Sequence, residues 1–163
     1  MATFAPTDDP SFKSLGLPPI DQVGFVVRDL KDWVRRYDAI FGPFSYMDGS
    51  VNAVDYRGRV EDVQLDLAFG RTGEVEIEFI EWKDGYSPHR EFIECGLEGM
   101  HHVRYRVDDT DAWIKKMQTV GFEPIWYKRY CADTIFTYME RQGDPLIIEF
   151  LQMPPGGPGT GSV

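Results

Sequence analysis

The sequence predicts an α+β fold in which two βαβββ modules form a curved mixed sheet around a shared cleft. The main observation is a repeat: Ile20-Asp-Gln-Val-Gly-Phe-Val-Val-Arg-Asp-Leu-Lys-Asp-Trp33 returns 80 residues later as Met100-His-His-Val-Arg-Tyr-Arg-Val-Asp-Asp-Thr-Asp-Ala-Trp113. A second, shorter pair is Ile77-Glu-Phe-Ile80 and Ile148-Glu-Phe-Leu151. Internal repeats indicate similar modules that pack on each other. Polar residues at matching places in both copies predict one shared site between the modules.

Each module begins with a strand. In residues 20–28, the alternation of side chains places Gln22 on the face opposite Val23. In the second copy, His102 and Arg104 take the face that Gln22 takes in the first. The polar residues of both first strands therefore lie on one side, away from the apolar residues.

An amphipathic helix follows each first strand. Asp29 and Asp109 stand where a helix N-cap is expected, and apolar residues then recur at helical spacing from Trp33 and from Trp113.

Three more strands complete each module, because short segments rich in β-branched and aromatic residues follow each helix. They are residues 51–56, 62–69 and 74–82 in the first module, and 123–129, 134–140 and 146–152 in the second. If the helix covers one face of each sheet, Ile77 and Ile148 point towards it. Glu78 and Glu149 then point the other way, into the cleft.

The expected domain spans residues 19–152, with a first module at 19–83, a joint at 84–98 and a second module at 99–152. In the joint, Ser87 and Pro88 predict the N-cap and first residue of a short helix that continues to about Glu94. We expect residues 1–18 and 153–163 to form loose tails, since the latter are rich in Gly and Pro.

The composition is that of an ordinary globular protein, with 42% hydrophobic and 27% charged residues, so neither a disordered chain nor a membrane protein is indicated. The net charge of −10 argues against nucleic-acid binding, which needs a basic face. Cys95 and Cys131 lack the spacing of a metal site and are expected to be free thiols. The absence of a signal-peptide pattern favours the cytoplasm.

Taken together, these residues resemble the vicinal oxygen chelate superfamily, which includes glyoxalase I, methylmalonyl-CoA epimerase, extradiol dioxygenases, and the bleomycin and fosfomycin resistance proteins. The resemblance covers residues 20–152. The segment Ser87-Pro-His-Arg-Glu-Phe-Ile-Glu-Cys-Gly-Leu-Glu-Gly-Met-His-His-Val103 is most similar to the epimerase branch. The resemblance implies one divalent metal ion whose ligands come from the first and last strands of both modules. The matching residues are Gln22, Glu78, His102 and Glu149.

The first strand departs from the usual family pattern, because it reads Asp21-Gln22-Val23 where the family usually has Asp-His-Val. The resulting set of Gln, Glu, His and Glu resembles the zinc site of the human-type glyoxalase I. An oxygen-rich site with one imidazole suits Zn, Ni, Co, Mn or Fe(II), so the metal stays open. Whether Gln22 is a ligand stays open as well.

The resemblance also implies residue roles. Glu149 is the expected catalytic base, with Glu78 or Glu76 as the partner acid. Arg104 is expected to bind an anionic group of the substrate and Tyr138 to line its pocket. The strand parity of Glu76 fits two alternatives equally well, a second acid in the cleft and a residue at its rim.

Two histidines are not assigned to the metal. His101 has the core-side parity of its strand and is expected to be a packed structural residue. His89, next to Pro88, is expected to be exposed.

The predicted function is a divalent-metal-dependent lyase or isomerase, of glyoxalase or epimerase type, that moves a proton next to a metal-bound carbonyl of a small, aromatic or anionic substrate. The alternatives are an Fe(II) ring-cleaving dioxygenase and a metal-free protein that binds a small molecule. We also expect a homodimer, and the site could be closed within one chain or across the dimer.

Overall fold

The computed structural model describes residues 14–155, and within them it confirms the α+β class. Nine strands and three helices alternate along this part of the chain. The first half contains β1 (Gln22–Val27), α1 (Leu30–Phe41), β2 (Ser45–Asp48), β3 (Val51–Tyr56), β4 (Arg59–Thr72) and β5 (Val75–Asp84). The second half contains α2 (Pro88–Glu94), β6 (Gly99–Arg106), α3 (Thr110–Gln118), β7 (Glu123–Cys131), β8 (Thr134–Glu140) and β9 (Ile147–Gln152).

One mixed sheet contains all nine strands, in the order β2-β4-β3-β7-β8-β9-β6-β1-β5. The two first strands, β1 and β6, are antiparallel neighbours, and β3 of the first half pairs with β7 of the second. Because β4 also pairs with β5, the curved sheet closes on itself. The halves therefore meet along two edges, and the interior of the closed sheet contains the cleft.

The first half has one strand more than expected, namely β2. Both β2 and β3 pair with β4 in the same direction, with Asp48 opposite Asp66 and Val51 opposite Val63. They are two pieces of one strand that is interrupted at Gly49 and Ser50. The sequence did not predict β2 because all four of its residues are exposed, so no apolar alternation marks it.

The caps of all three helices agree with the sequence. The carboxylates of Asp29 and Asp109 each accept a hydrogen bond of 2.9 Å from a backbone N–H of the first helical turn. The Ser87 hydroxyl accepts one of 3.1 Å from Arg90, with Pro88 as the first residue of α2. These side chains satisfy backbone donors that the helix leaves unpaired.

Three apolar clusters divide the interior. One lies between α1 and the sheet and contains Ile77 and Phe79, and a second lies beneath α3 and contains Ile148 and Phe150. The third fills part of the inside of the closed sheet and includes Ile80, with residues of α2 packed against it. The parity predicted for the last strands is therefore correct. Glu78 and Glu149 share the inner face.

The described part of the chain extends slightly beyond the secondary structure at each end. Residues 14–18 form no helix or strand, but Leu15 and Leu17 pack against the cluster beneath α3. The rest of the two expected tails, residues 1–13 and 156–163, lies outside the described residues. Among the described helices, none has the length and apolar character needed to cross a bilayer.

Candidate metal centre and substrate cleft

Four adjacent strands at the centre of the sheet, β9, β6, β1 and β5, place the predicted ligands. Glu78 of β5, His102 of β6 and Glu149 of β9 lie so close that one ligand atom from each falls within 4.8 Å of the others. His102 Nε2 is 3.1 Å from Glu149 Oε2 and 3.6 Å from Glu78 Oε2. All three side chains are buried. Since both halves contribute, one chain brings this cluster together without a second copy.

The position of the His102 ring depends on its neighbour on β1, Gly24. The two residues are directly paired, and a β-carbon on Gly24 would lie only 2.0 Å from His102 Cε1. A glycine is needed there because any other residue would occupy the space of the imidazole.

A β-bulge next to this pair explains the arrangement of the two consecutive histidines. Gly24 pairs with His102 and Phe25 pairs with Met100, so His101 is an extra residue in β6. Its ring is buried, and its Nδ1 lies 3.1 Å from His102 Nδ1. One of these nitrogens must donate and the other accept. His101 is therefore a packed residue, as expected, but it also contacts the predicted ligand.

Two buried polar atoms on the inner faces of β1 and β6 lack a partner. His102 Nε2 faces the carboxylate oxygens without a hydrogen bond of acceptable geometry, and Gln22 Oε1 is buried with no partner among the described residues. Buried polar atoms without partners are costly and rare. An imidazole nitrogen, an amide oxygen and two carboxylates are all electron-pair donors, so a divalent cation fits this set.

The electrostatics of the cluster also fit a cation. Burial and the nearby charge of Glu149 raise the pKa of Glu78 to about 8. Two buried carboxylates beside each other disfavour double ionisation, so without a cation this pair retains a proton near neutral pH. A divalent ion would displace that proton and neutralise both carboxylates.

Gln22, the residue that departs from the family pattern, is completely buried on the inner face of β1. Its amide nitrogen donates a hydrogen bond of 2.7 Å to Glu76 Oε1. Glu76 is therefore a partner of Gln22, a role that its parity alone could not show.

The guanidinium group of Arg104 lies between two carboxylates. It donates to both oxygens of Asp21, at 3.1 and 2.8 Å, and to Glu76 at 3.2 Å. Although burial opposes the charge, the hydrogen bond to Asp21 and the acidic surroundings raise the pKa of Arg104. We expected this residue to bind an anionic substrate group, but its charge is already matched by protein carboxylates.

The cleft has two arms that share Glu78. The apolar arm has a volume of about 360 Å³, and Tyr138, Trp126 and Phe136 form part of its wall. The charged arm has a volume of about 530 Å³ and includes Arg104 and Glu76. Tyr138 thus lies beside the cluster, as a substrate-lining residue should, with its ring centroid 4.7 Å from that of His102.

The expectation for His89 is wrong. Its side chain is completely buried and packs against Trp126, with ring centroids 4.7 Å apart, and its Nε2 lies 3.4 Å from the Tyr138 hydroxyl. Burial, and to a lesser degree the nearby His101 and His102, hold its pKa well below the usual value. The sequence could not predict this burial, because the face of α2 that is buried depends on how the helix packs against the closed sheet.

Several known proteins are similar to this chain. The uncharacterized protein YqjC of Bacillus subtilis (strain 168) is 28% identical over 86 residues, which are 53% of this chain and 55% of that protein. The chain thus spans about half the length of this curated relative.

Solved structures share the fold. A hypothetical protein of Bacillus halodurans C-125 matches with a TM-score of 0.60 and 20% identity, over 86% of this chain and 98% of that one. A methylmalonyl-CoA epimerase in complex with methylmalonyl-CoA and NH4+ matches with a TM-score of 0.61 and 18% identity, over 88% and 100%. The epimerase of Mycobacterium tuberculosis matches with a TM-score of 0.58 and 18% identity, over 85% and 90%.

The sequence itself identifies the family. The profile of the Glyoxalase/Bleomycin resistance protein/Dioxygenase superfamily matches residues 21–138, which include β1 and most of the strands that form the cleft. The chain therefore belongs to this superfamily.

Proposed function

We propose that this protein is a divalent-metal-dependent enzyme of the isomerase or lyase type that moves a proton next to a carbonyl group of a small substrate. The observation that carries the proposal is the buried cluster of Glu78, His102 and Glu149 at the inner end of an apolar cavity. A buried carboxylate with a raised pKa, such as Glu78, in a cleft is typical of a catalytic site.

The metal would be held by His102 Nε2, by the carboxylates of Glu78 and Glu149, and by Gln22 Oε1. When bound, a divalent ion polarises a carbonyl oxygen and stabilises the negative charge that forms on it when the neighbouring carbon loses a proton. Metal analysis of the purified protein will identify the ion among Zn, Ni, Co, Mn and Fe.

The protein's own groups would move the proton. We assign the removal of the carbon-bound proton to Glu149, whose carboxylate lies against the apolar arm. Glu78 borders the same arm from the opposite half of the chain and would hold the partner proton.

The epimerase structures support the isomerase type, because they share the fold over nearly their whole length. At 18% identity they do not supply a substrate. The superfamily also includes glyoxalases by its name, so epimerisation and glyoxalase-type elimination or isomerisation are the reactions to test.

The first experiment combines two measurements on the purified protein. Metal analysis should find one divalent ion per chain, and carbonyl compounds incubated in deuterated water should incorporate deuterium next to the carbonyl. A metal-free protein that still binds a small molecule would favour the alternative of a binding protein, which the apolar cavity alone would support. In that case the enzymatic proposal is wrong.

The Glu149→Gln variant tests the role of the base. We expect deuterium incorporation to fall by about a hundredfold or more, since the amide cannot accept the proton, while much of the metal stays bound through the other ligands. Glu123→Gln is the matched control, because Glu123 is an exposed carboxylate at the start of β7, outside the cleft. Parallel loss of metal and exchange in Glu149→Gln would leave this residue with a ligand role only.

The expected homodimer and the expected cytoplasmic location stay predictions. Sedimentation of the purified protein tests the first and fractionation of cells tests the second.

A further inference from the structure

The side chains that line the apolar arm of the cleft indicate the class of substrate. It begins at Glu78 and Glu149 and extends to the exposed ring of Tyr130. Hydrophobic and aromatic side chains form most of its wall, among them Leu65, Leu67, Ile80, Trp126, Phe136 and Tyr138. A volume of about 360 Å³ is at the lower end of the range for small-molecule sites.

No lysine or arginine is among the described residues that line this arm. Its ionisable residues are Asp48, Glu78, Glu149, His89, Tyr130 and Tyr138. His89 is completely buried against Trp126, and Tyr138 is buried beside His102, so neither presents a cation to the arm. An anionic group in this arm would meet carboxylates and apolar surface, which is unfavourable. A lysine, Lys128, lies outside the lining with its Nζ 5.7 Å from the centre of the Tyr130 ring, and it donates to the backbone carbonyls of Asn52 and Ala53.

The charged arm offers little compensation. Its lining includes Arg71, Arg104 and Arg106, but four carboxylates lie among them, those of Asp21, Glu74, Glu76 and Glu78. Arg104 is bound to Asp21 and Glu76, and Arg106 lies 4.0 Å from Asp21. Arg71 donates only to the backbone carbonyl of Glu74, and the side chain of Arg106 is exposed. The four carboxylates outnumber the three arginines, so the lining of this arm has no excess positive charge.

We infer that the substrate of the proposed reaction carries an uncharged aromatic group next to its vicinal oxygens, and that the apolar arm binds this group. The inference rests on the proposed function for the position of the oxygens. It argues against substrates that would place a carboxylate or a phosphate in this arm.

Two matched probes test this inference on the zinc-loaded protein. Both 2-hydroxy-1-phenylethanone and its derivative with a carboxylate at the para position have the same neighbouring oxygens and the same ring. We expect the neutral probe to bind about tenfold more tightly or better, measured by calorimetry or by quenching of tryptophan fluorescence. Methylmalonyl-CoA should bind more weakly than the neutral probe. Equal or tighter binding of either anionic compound would overturn the inference.

Two variants locate the bound ring. Phe136→Ala should weaken binding of the neutral probe by about tenfold with unchanged zinc content, because it removes part of the apolar wall. Tyr130→Arg should reduce the preference over the carboxylate probe, since it adds a cation at the mouth, where Tyr130 is exposed. If neither variant changes the affinities, the ring does not bind in this arm.

The outcome separates the inference from the proposed function. Tight binding of the neutral probe without deuterium exchange would support the substrate class and contradict the proton transfer. Exchange that is faster with anionic substrates would support the proton transfer and contradict the substrate class.

The hydrogen bond between Gln22 and Glu76 supports a second, independent inference. An amide has a donor end and an acceptor end, and either could face the metal site. Glu76 Oε1 accepts from Gln22 Nε2 at 2.7 Å, which leaves the buried and unpartnered Oε1 as the free end. Only the oxygen can bind a cation.

Glu76 is itself fixed by a chain of contacts. Arg104 Nη2 donates to the same Oε1 at 3.2 Å, and the rest of its guanidinium group binds Asp21. Glu76 is the direct register partner of Gln22 in the parallel pair of β1 and β5. Arg104 is the register partner of Gln22 on the other side, in β6. Three neighbouring strands therefore hold one amide in a single orientation.

We propose that Glu76 is a positioning residue that turns the Gln22 oxygen towards the metal, with Arg104 holding Glu76 in place. Gln22 is then a ligand, and Glu76 acts through it. A group that orients a metal ligand typically changes metal affinity by about tenfold to a hundredfold when it is removed.

The test measures zinc affinity by competition with a chelating dye and records the visible spectrum of the cobalt-substituted protein. Glu76→Gln should weaken zinc binding by about tenfold and change the cobalt spectrum. The matched control is Glu74→Gln, which removes the same charge two residues away without contacting Gln22. It should leave both readouts unchanged.

A double mutant distinguishes positioning from a general effect of charge. In a Gln22→Leu background, which has no amide to orient, Glu76→Gln should cost no further zinc affinity. An equal loss in both backgrounds would show that Glu76 does not act through Gln22. Unchanged affinity in Gln22→Leu alone would show that Gln22 is not a ligand.

Discussion

At the scale of single residues, the chemistry of the site depends on which polar side chains have hydrogen-bond partners and which do not. His102 and Gln22 occupy the same place in the two copies of the repeat, and both are completely buried. The sequence could predict their shared face, because the alternation in a strand depends only on position. It could not predict that Arg104 is bound to Asp21, since that contact joins residues 83 positions apart.

His89 gives a prediction on the pH dependence of stability. Burial lowers its pKa, so the folded protein keeps His89 neutral while the unfolded chain binds a proton below about pH 6.5. The unfolded state then binds more protons, and the free energy of unfolding falls as the pH falls. We expect His89→Phe to remove this contribution. Between about pH 6 and pH 5 the wild type should lose more stability than the variant, by up to about 1.2 kcal/mol.

The measurement is urea unfolding of both metal-free proteins at several pH values. The titratable groups that face His89 are His101, His102 and Tyr138. They are present in both proteins, as is Glu78, so their contributions largely cancel in the difference. Parallel pH profiles would mean that His89 is also protonated in the folded state.

At the scale of elements, the pair of β1 and β6 determines the geometry of the site. The bulge at His101 allows two consecutive histidines to reach the interior, where both rings lie near Tyr138. Strand periodicity correctly predicted the strands other than β2 and the inner faces of β5 and β9, and the positions of Asp29, Ser87 and Asp109 predicted the helix caps. It could not predict the bulge, since a bulge interrupts the alternation on which the prediction depends. The short strand β2 was not predicted for a related reason, because its four residues are all exposed and show no alternation of apolar and polar side chains.

Gly24→Ala tests the contact between these two strands. The added methyl group would overlap the His102 ring, which must then leave its place. We expect the zinc content to fall sharply and the free energy of unfolding of the metal-free protein to drop by about 1–3 kcal/mol. Metal analysis and urea unfolding measure the two effects.

The His102→Ala background is the control for this variant. Without the imidazole, the same methyl group has space, so Gly24→Ala should cost much less stability there. A similar cost in both backgrounds would place the strain in the backbone of β1 and not in the contact with His102.

At the scale of the whole molecule, the two halves are joined twice, through β1 with β6 and through β3 with β7. The repeat predicted two modules and a shared cleft. It did not predict that the halves also join through β3 and β7, because this contact covers only two residue pairs. A contact between so few residues produces no detectable periodic pattern in the sequence. The closed sheet nevertheless has a defined interior, with α2 against the inner cluster and the cleft beside it.

The position of the acidic cluster has a mechanical consequence. Glu78 and Glu149 are 71 residues apart in the sequence, and they come from opposite halves of the chain. An ion bound by both carboxylates would cross-link the two halves of the folded chain. It would restrict the unfolded chain only if it stayed bound to both residues after unfolding. At a free concentration about a hundredfold above its dissociation constant, it would stabilise the fold by about 2.7 kcal/mol. The resistance of this protein to proteases and heat should therefore follow the supply of metal in its surroundings.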